Sequence, residues 1–245
     1  MYIKNIKDVL LVWMVGLVGG VLFTVLRITK RVEIAGACYK KEKFNHKGKG
    51  LVIIANHPSL WEPCLLPFLL FPRYLFSLRF IPYSLVDKKN YYDKWWFQPL
   101  RFVCVPIKRG SPREELTTIK KTLQPMLKEG KILILFPEGG RTFKCIKLRG
   151  VKYSRSGKKI ARFPRGIEKL FLGVDCLVLP IWTEGGDKVI PNKEEFPKII
   201  SIFPRVWRKT RIVVGENLTT RGFKKGELLE HLENTLLNLA ELSNS

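Results

Sequence analysis

The stretch that most constrains the fold is residues 102–136, which read as strand, helix, strand. Residues 102–107 (FVCVPI) and 131–136 (KILILF) are apolar runs of strand type. Between them, Ser111-Pro112-Arg113-Glu114 predicts a helix start, a capping box with proline at the first helical position. Leu116, Ile119, Leu123, Met126 and Leu127 follow at helical spacing, Gly130 supplies the stop, and Pro125 is expected to bend the helix. A helix joining two such strands makes a parallel crossover. The expected fold class is therefore α/β, a mostly parallel central sheet flanked by helices.

A further buried strand is expected at residues 51–55 (LVIIA), and it leads straight into Asn56 and His57. Pro58 suits the first position of a following helix, so the imidazole sits at a strand-to-helix turn, where open α/β sheets bind their ligands. Glu62 follows on the next turn. A carboxylate on one imidazole nitrogen fixes the tautomer and stabilises the imidazolium, which frees the other nitrogen to take a proton from a hydroxyl. Taken alone, the pattern also fits a capped turn whose His and Glu face solvent. Of the histidines His46, His57 and His231, His57 has the best setting for a base.

The formal charge of +23 implies a polyanionic partner: an anionic membrane, phosphorylated substrates or nucleic acid. Nucleic acid is disfavoured, since no helix-turn-helix, zinc-finger or RNP pattern appears. The cysteines at 38, 64, 104, 145 and 176 are scattered, with no C-x-x-C pair, so neither a disulfide framework nor a zinc site is expected, and a reducing compartment is favoured. Residues 9–26 carry no charge and approach the shortest length, roughly 17–20 residues, that crosses a bilayer. Arg27, Lys30 and Arg31 follow, which places the downstream domain on the cytoplasmic face. The expected organisation is a membrane-associated helix at residues 1–31 and a catalytic domain at 32–245. A buried core helix is the bland alternative. A cleaved signal peptide fits poorly, because the small residues at 35–37 lie beyond several charges.

The aromatics interleaved with bases across residues 71–100 suit a membrane interface, base stacking, or the core and rim of one large domain. Near the end, residues 210–214 predict a strand and residues 226–242 an amphipathic helix. The proline-interrupted segment 191–207, with Ile199, Ile200, Ile202 and Phe203, is expected to be a loop or an interfacial contact.

Directly after the strand at 131–136 comes a second motif, FPEGGRT at residues 136–142. Glycines let backbone approach an anion, and Arg141 can grip a phosphate in bidentate fashion. Glu138 can pair with that arginine or accept a substrate hydroxyl. Lys108 and Arg109 lie at the end of the neighbouring expected strand.

The series N-H-x4-acid, strand ending in K-R, then F-P-E-G-x-R-[ST] resembles the 1-acylglycerol-3-phosphate acyltransferase family, the PlsC-like lysophospholipid acyltransferases. Similar blocks continue at residues 157–167, 178–181 and 213–218, so the likeness covers roughly residues 32–218. It implies transfer of an acyl group from a thioester, acyl-CoA or acyl carrier protein, to the hydroxyl of a lysophosphatidate or lysophospholipid acceptor in phospholipid biosynthesis. It also implies roles. His57 would be the general base, with Glu62 orienting it. Lys108, Arg109 and Arg141 would bind phosphate, while Glu138, Gly139, Gly140 and Thr142 shape that pocket and Asn56 buttresses the turn. No metal and no cofactor beyond the thioester donor is implied. This chain departs from the pattern at Glu62, where most members have aspartate, at Gly140, where threonine is common, and in a basic stretch at 143–155. Another lipid acceptor, a glycolipid or aminolipid, is the alternative, as are an altered family member and a non-catalytic basic protein binding membranes or nucleic acid.

Overall fold

The computed structural model describes residues 5–36, 46, 48–192, 204–224 and 226–243, so Cys38 and the expected apolar positions at 199–203 lie outside it. Its strands are β1 (Val32–Ala35), β2 (Gly50–Ala55), β3 (Pro82–Asp87), β4 (Cys104–Ile107), β5 (Ile132–Leu135), β6 (Val151–Tyr153), β7 (Lys159–Ala161), β8 (Cys176–Glu184), β9 (Thr210–Val214) and β10 (Leu218–Thr219). The main sheet runs β1-β9-β8-β2-β5-β3-β4, with β10 beside β8, and β6 and β7 form a separate antiparallel pair. Strand β2 is central and parallel to both β5 and β8. Only the pairings of β8 with β9 and β10 are antiparallel in the main sheet among the described residues. The expected mostly parallel α/β sheet is what the chain forms.

The central strands explain themselves. Every residue of β2 and of β5 is buried, because both faces of a parallel sheet are covered by its crossovers. The crossover into β5 runs as helix Pro112–Thr118, a π turn at Ile119–Leu123, and helix Gln124–Lys128. Pro125 has no amide hydrogen to give, and the helix widens just upstream of it instead of breaking. Ser111 takes the N-cap position, but its side chain makes no cap bond. Strand β4 is shorter than the apolar run suggests, since residues 102 and 103 end the 3₁₀ helix Trp95–Val103. Strand β3 lies inside the aromatic region and separates β5 from β4. Aromatics there divide between core (Tyr74, Tyr83) and surface (Phe76, Trp95).

The N-terminal helix Ile6–Ile28 is the one described helix long and apolar enough to cross a membrane. It has two apolar faces of different character. Val12, Phe23 and Leu26 belong to the same buried cluster as the sheet. Gly16, Gly19 and Gly20 face Tyr74, Phe68 and Phe71 so closely that a Cβ would fall within 2.4 Å of each ring. The Tyr74 hydroxyl donates to the Gly16 carbonyl at 3.1 Å. The other face leaves Leu10, Met14, Leu17, Val18, Val21, Leu22 and Val25 exposed. Residues 1–31 and 32–245 therefore share one hydrophobic core along this glycine seam. The C-terminal helix Glu227–Leu242 closes the other side, burying Leu228, Leu232, Leu236 and Leu239.

Candidate active site

Strand β2 ends at Ala55, and Asn56 carries its pairing one step further through a side chain. The Asn56 amide donates to the Thr183 carbonyl at 2.8 Å and accepts the Thr183 backbone N–H at 2.7 Å, with the Thr183 hydroxyl at 3.0 Å. This fixes where the chain leaves the sheet, and the next residue is His57.

Residues 58–61 make a non-helical bend, and the helix starts at Glu62, later than Pro58 suggests (Glu62–Leu65). The bend returns Glu62 to the histidine: Glu62 Oε2 lies 3.5 Å from His57 Nδ1. Glu62 is fully buried. Its carboxylate accepts the Ser59 N–H at 2.9 Å and the Ser59 hydroxyl at 3.1 Å, so it is held by hydrogen bonds when charged. Nδ1 is the buried nitrogen, with no hydrogen-bond partner but this carboxylate nearby, which leaves Nε2 for a substrate. Phe136 stacks on the ring at 4.3 Å and 27°, fixing its plane.

The second motif fastens the first. Glu138 is fully buried. Its Oε1 accepts the His57 N–H at 2.9 Å and the Thr142 hydroxyl at 2.7 Å, while Oε2 accepts the Ala161 N–H at 2.7 Å. Burial pushes this carboxyl above the usual range, and the Thr142, Ala161 and His57 donors pull it back. The Thr142 N–H in turn donates to the His57 carbonyl at 2.8 Å. Thus Glu138 and Thr142 grip both polar groups of the His57 backbone, and neither side chain points to an open pocket.

Cations gather unevenly around the loop. Arg141 donates to Asn192 Oδ1 at 3.2 Å and lies over the Phe143 ring. Asn192 also donates to the Pro58 carbonyl at 3.3 Å, tying the arginine to the histidine turn. Arg109, paired with Asp87 at 3.4 Å, brings a guanidinium nitrogen to 3.3 Å from where a Cβ on Gly140 would stand. Lys108 instead turns outward to Glu114 at 2.7 Å. Arg149 joins the cluster from the basic stretch at 143–155: it donates to the Glu138 carbonyl at 2.8 Å, over Gly139, whose φ is 71°. Gly139 and Gly140 thus leave space that arginines fill.

Sequence reasoning missed Ser59, Thr183, Gly186, Asn192 and Arg149 as parts of this site. Ser59 lies inside the first motif and Arg149 inside the basic stretch, so both were within reach. Thr183, Gly186 and Asn192 come from β8 and the loop after it, which are brought in by strand order alone.

A buried His–Glu pair at the end of a central parallel strand, beside an arginine-rimmed glycine loop, defines a site for moving a proton next to an anion. The chain belongs to the acyltransferase family, whose model matches residues 36–184, a span that holds all of these residues but Gly186 and Asn192. A solved structure with a similar fold is the 1-acyl-sn-glycerophosphate (LPA) acyltransferase PlsC from Thermotoga maritima. The TM-score is 0.59 at 20% identity, over 95% of this chain and 79% of that one. No curated protein matches the chain by sequence.

Proposed function

We propose that this is a membrane-bound O-acyltransferase. It carries a fatty acyl group from acyl-CoA or acyl carrier protein to the hydroxyl of a lysophosphatidate or lysophospholipid acceptor, in phospholipid synthesis. The observation that carries the reading is the double grip on His57: the glycine–arginine loop holds its N–H through Glu138 and its carbonyl through Thr142. Base and anion site are thereby one unit, as a reaction on a phosphorylated alcohol requires. The printed activity of the Thermotoga maritima relative, acting on 1-acyl-sn-glycerophosphate, supports the same acceptor class.

The chemistry follows from the two ring nitrogens. Nε2 takes the acceptor's hydroxyl proton as its oxygen forms a C–O bond to the thioester carbonyl. Glu62, beside Nδ1, stabilises the imidazolium that results. Collapse of the tetrahedral adduct breaks the C–S bond, and the imidazolium returns its proton to the departing thiolate. The products are an ester and a free thiol, with His57 neutral again. Arg141, Arg109 and Arg149 hold the acceptor's phosphate, with Lys108 further out. The exposed face of Ile6–Ile28 seats the enzyme on a bilayer, and Arg27, Lys30 and Arg31 place the site on the cytoplasmic side.

The test is transfer of labelled acyl groups from both donors to a panel of lysolipids, phosphorylated and glycosylated, by wild type and His57→Ala. The expected result is ester formation on a phosphorylated acceptor, falling about 10²–10⁴-fold in the variant. Turnover unchanged in His57→Ala removes His57 from the mechanism. Product on unphosphorylated acceptors alone overturns the phosphate assignment.

A further inference from the structure

Glu62 is one methylene longer than aspartate, and its buried carboxylate needs somewhere to go. Ser59 bounds it on one side through the bonds from its amide and hydroxyl. On the other side lies Gly186, the first residue of the short helix Gly186–Val189, reached just after β8. A Cβ on Gly186 would stand 1.8 Å from Glu62 Oε1, 3.0 Å from Glu62 Cδ and 3.0 Å from Ser59 Oγ. Gly186 has no left-handed backbone to protect, unlike Gly185 before it at φ 81°. The absence of a side chain at 186 is therefore a matter of space, and the space is taken by the Glu62 carboxylate.

We infer that Gly186 is a positioning residue for this acyltransferase. Its bare Cα is the seat of the Glu62 carboxylate, so the identity of residue 62 and that of residue 186 are matched. The inference rests on the reading of His57 and Glu62 as the catalytic pair. Any side chain at 186 drives the carboxylate off its place beside Nδ1. A misplacement of about 1 Å at such a group costs on the order of 10²-fold in rate. An aspartate at 62 draws the carboxylate back toward its own backbone and vacates the seat.

A double-mutant cycle tests this, with thermal unfolding and steady-state kinetics measured on wild type, Gly186→Ala, Glu62→Asp and the pair. Gly186→Ala is expected to lower kcat by about 10–10²-fold with KM within about 3-fold, and to lower Tm. In the Glu62→Asp background the same change should leave both kcat and Tm as it finds them. Equal losses in the two backgrounds, or wild-type kcat and Tm in Gly186→Ala, overturn the inference. Should Gly186→Ala alone not fold, recovery of folding in the pair sustains the inference, and failure of the pair overturns it. His57→Ala in the same assay reports separately on the acyl-transfer reading. If wild type turns over no acceptor, that reading fails while the Tm cycle still decides the matching.

Discussion

Asn56 and Thr183 are paired as two strand residues would be, except that one partner is a side chain: the Asn56 amide both donates to and accepts from the Thr183 backbone. Asn56→Asp keeps the shape and removes the donor, setting a carboxylate oxygen against the Thr183 carbonyl. The expected cost at neutral pH is about 1–3 kcal/mol, by urea or thermal unfolding. The introduced carboxyl binds its proton more tightly folded than unfolded, because only the protonated form donates to that carbonyl. The variant's deficit should therefore shrink as pH falls below about 4 and grow as pH rises through the raised folded value. A deficit that does not change with pH would show that Thr183 does not need the donor.

Glu138→Gln separates holding from chemistry. Both carboxylate oxygens accept, Oε1 from His57 and Thr142 and Oε2 from Ala161, so an amide must turn its NH₂ group toward a donor. Stability should fall by about 1–3 kcal/mol, and kcat should fall with it while acceptor KM changes little. A raised KM with unchanged kcat would instead put Glu138 in contact with substrate.

The cations should not be equivalent. Arg141→Ala and Arg149→Ala should each weaken a phosphorylated acceptor by about 10-fold or more, seen as KM. Lys108→Ala should change KM by less than about 2–3-fold, because Lys108 is exposed and turned toward Glu114. If Lys108→Ala has the largest effect, the outward pair opens when substrate binds.

The N-terminal helix offers a contrast between its faces. Gly20→Leu must push against Phe71, whose ring lies 2.2 Å from the Cβ position, and should cost about 1–3 kcal/mol of stability. Leu17→Ser with Val21→Ser, on the exposed face, should leave Tm almost unchanged and reduce sedimentation with anionic vesicles. Undiminished vesicle binding would assign membrane attachment to the basic surface alone.

What was legible in the sequence was whatever periodicity or local spacing encodes. The runs at 51–55 and 131–136 gave the two central strands, and the leucine spacing gave the last helix to within a residue. His57 and Glu62 are neighbours through one short bend, and FPEGGRT announced its own loop. Strand β3 escaped notice because PYSLVD neither alternates nor runs apolar, and its place is set by β5 and β4 on either side. The partners of Asn56, Glu62 and Arg141 on β8 and beyond are more than 40 residues distant from them. No local pattern marks such a partner, since only the strand order β8-β2-β5 brings it near. The role of Glu138 was hidden for the same reason, as a glutamate beside an arginine looks the same in sequence whether it faces a substrate or three donors inside the protein.

The bonds made by Glu138 also set an order of events during synthesis. Its donors come from residues 57, 142 and 161, so a nascent chain that has delivered β2 and β5 still holds a buried carboxylate with Ala161 missing. The histidine turn can be complete in sequence long before it is complete in geometry. A chain released early, short of β7, should thus carry the whole first motif and half of the second and yet be inert. Activity arrives in one step, late, when the last amide reaches the carboxylate.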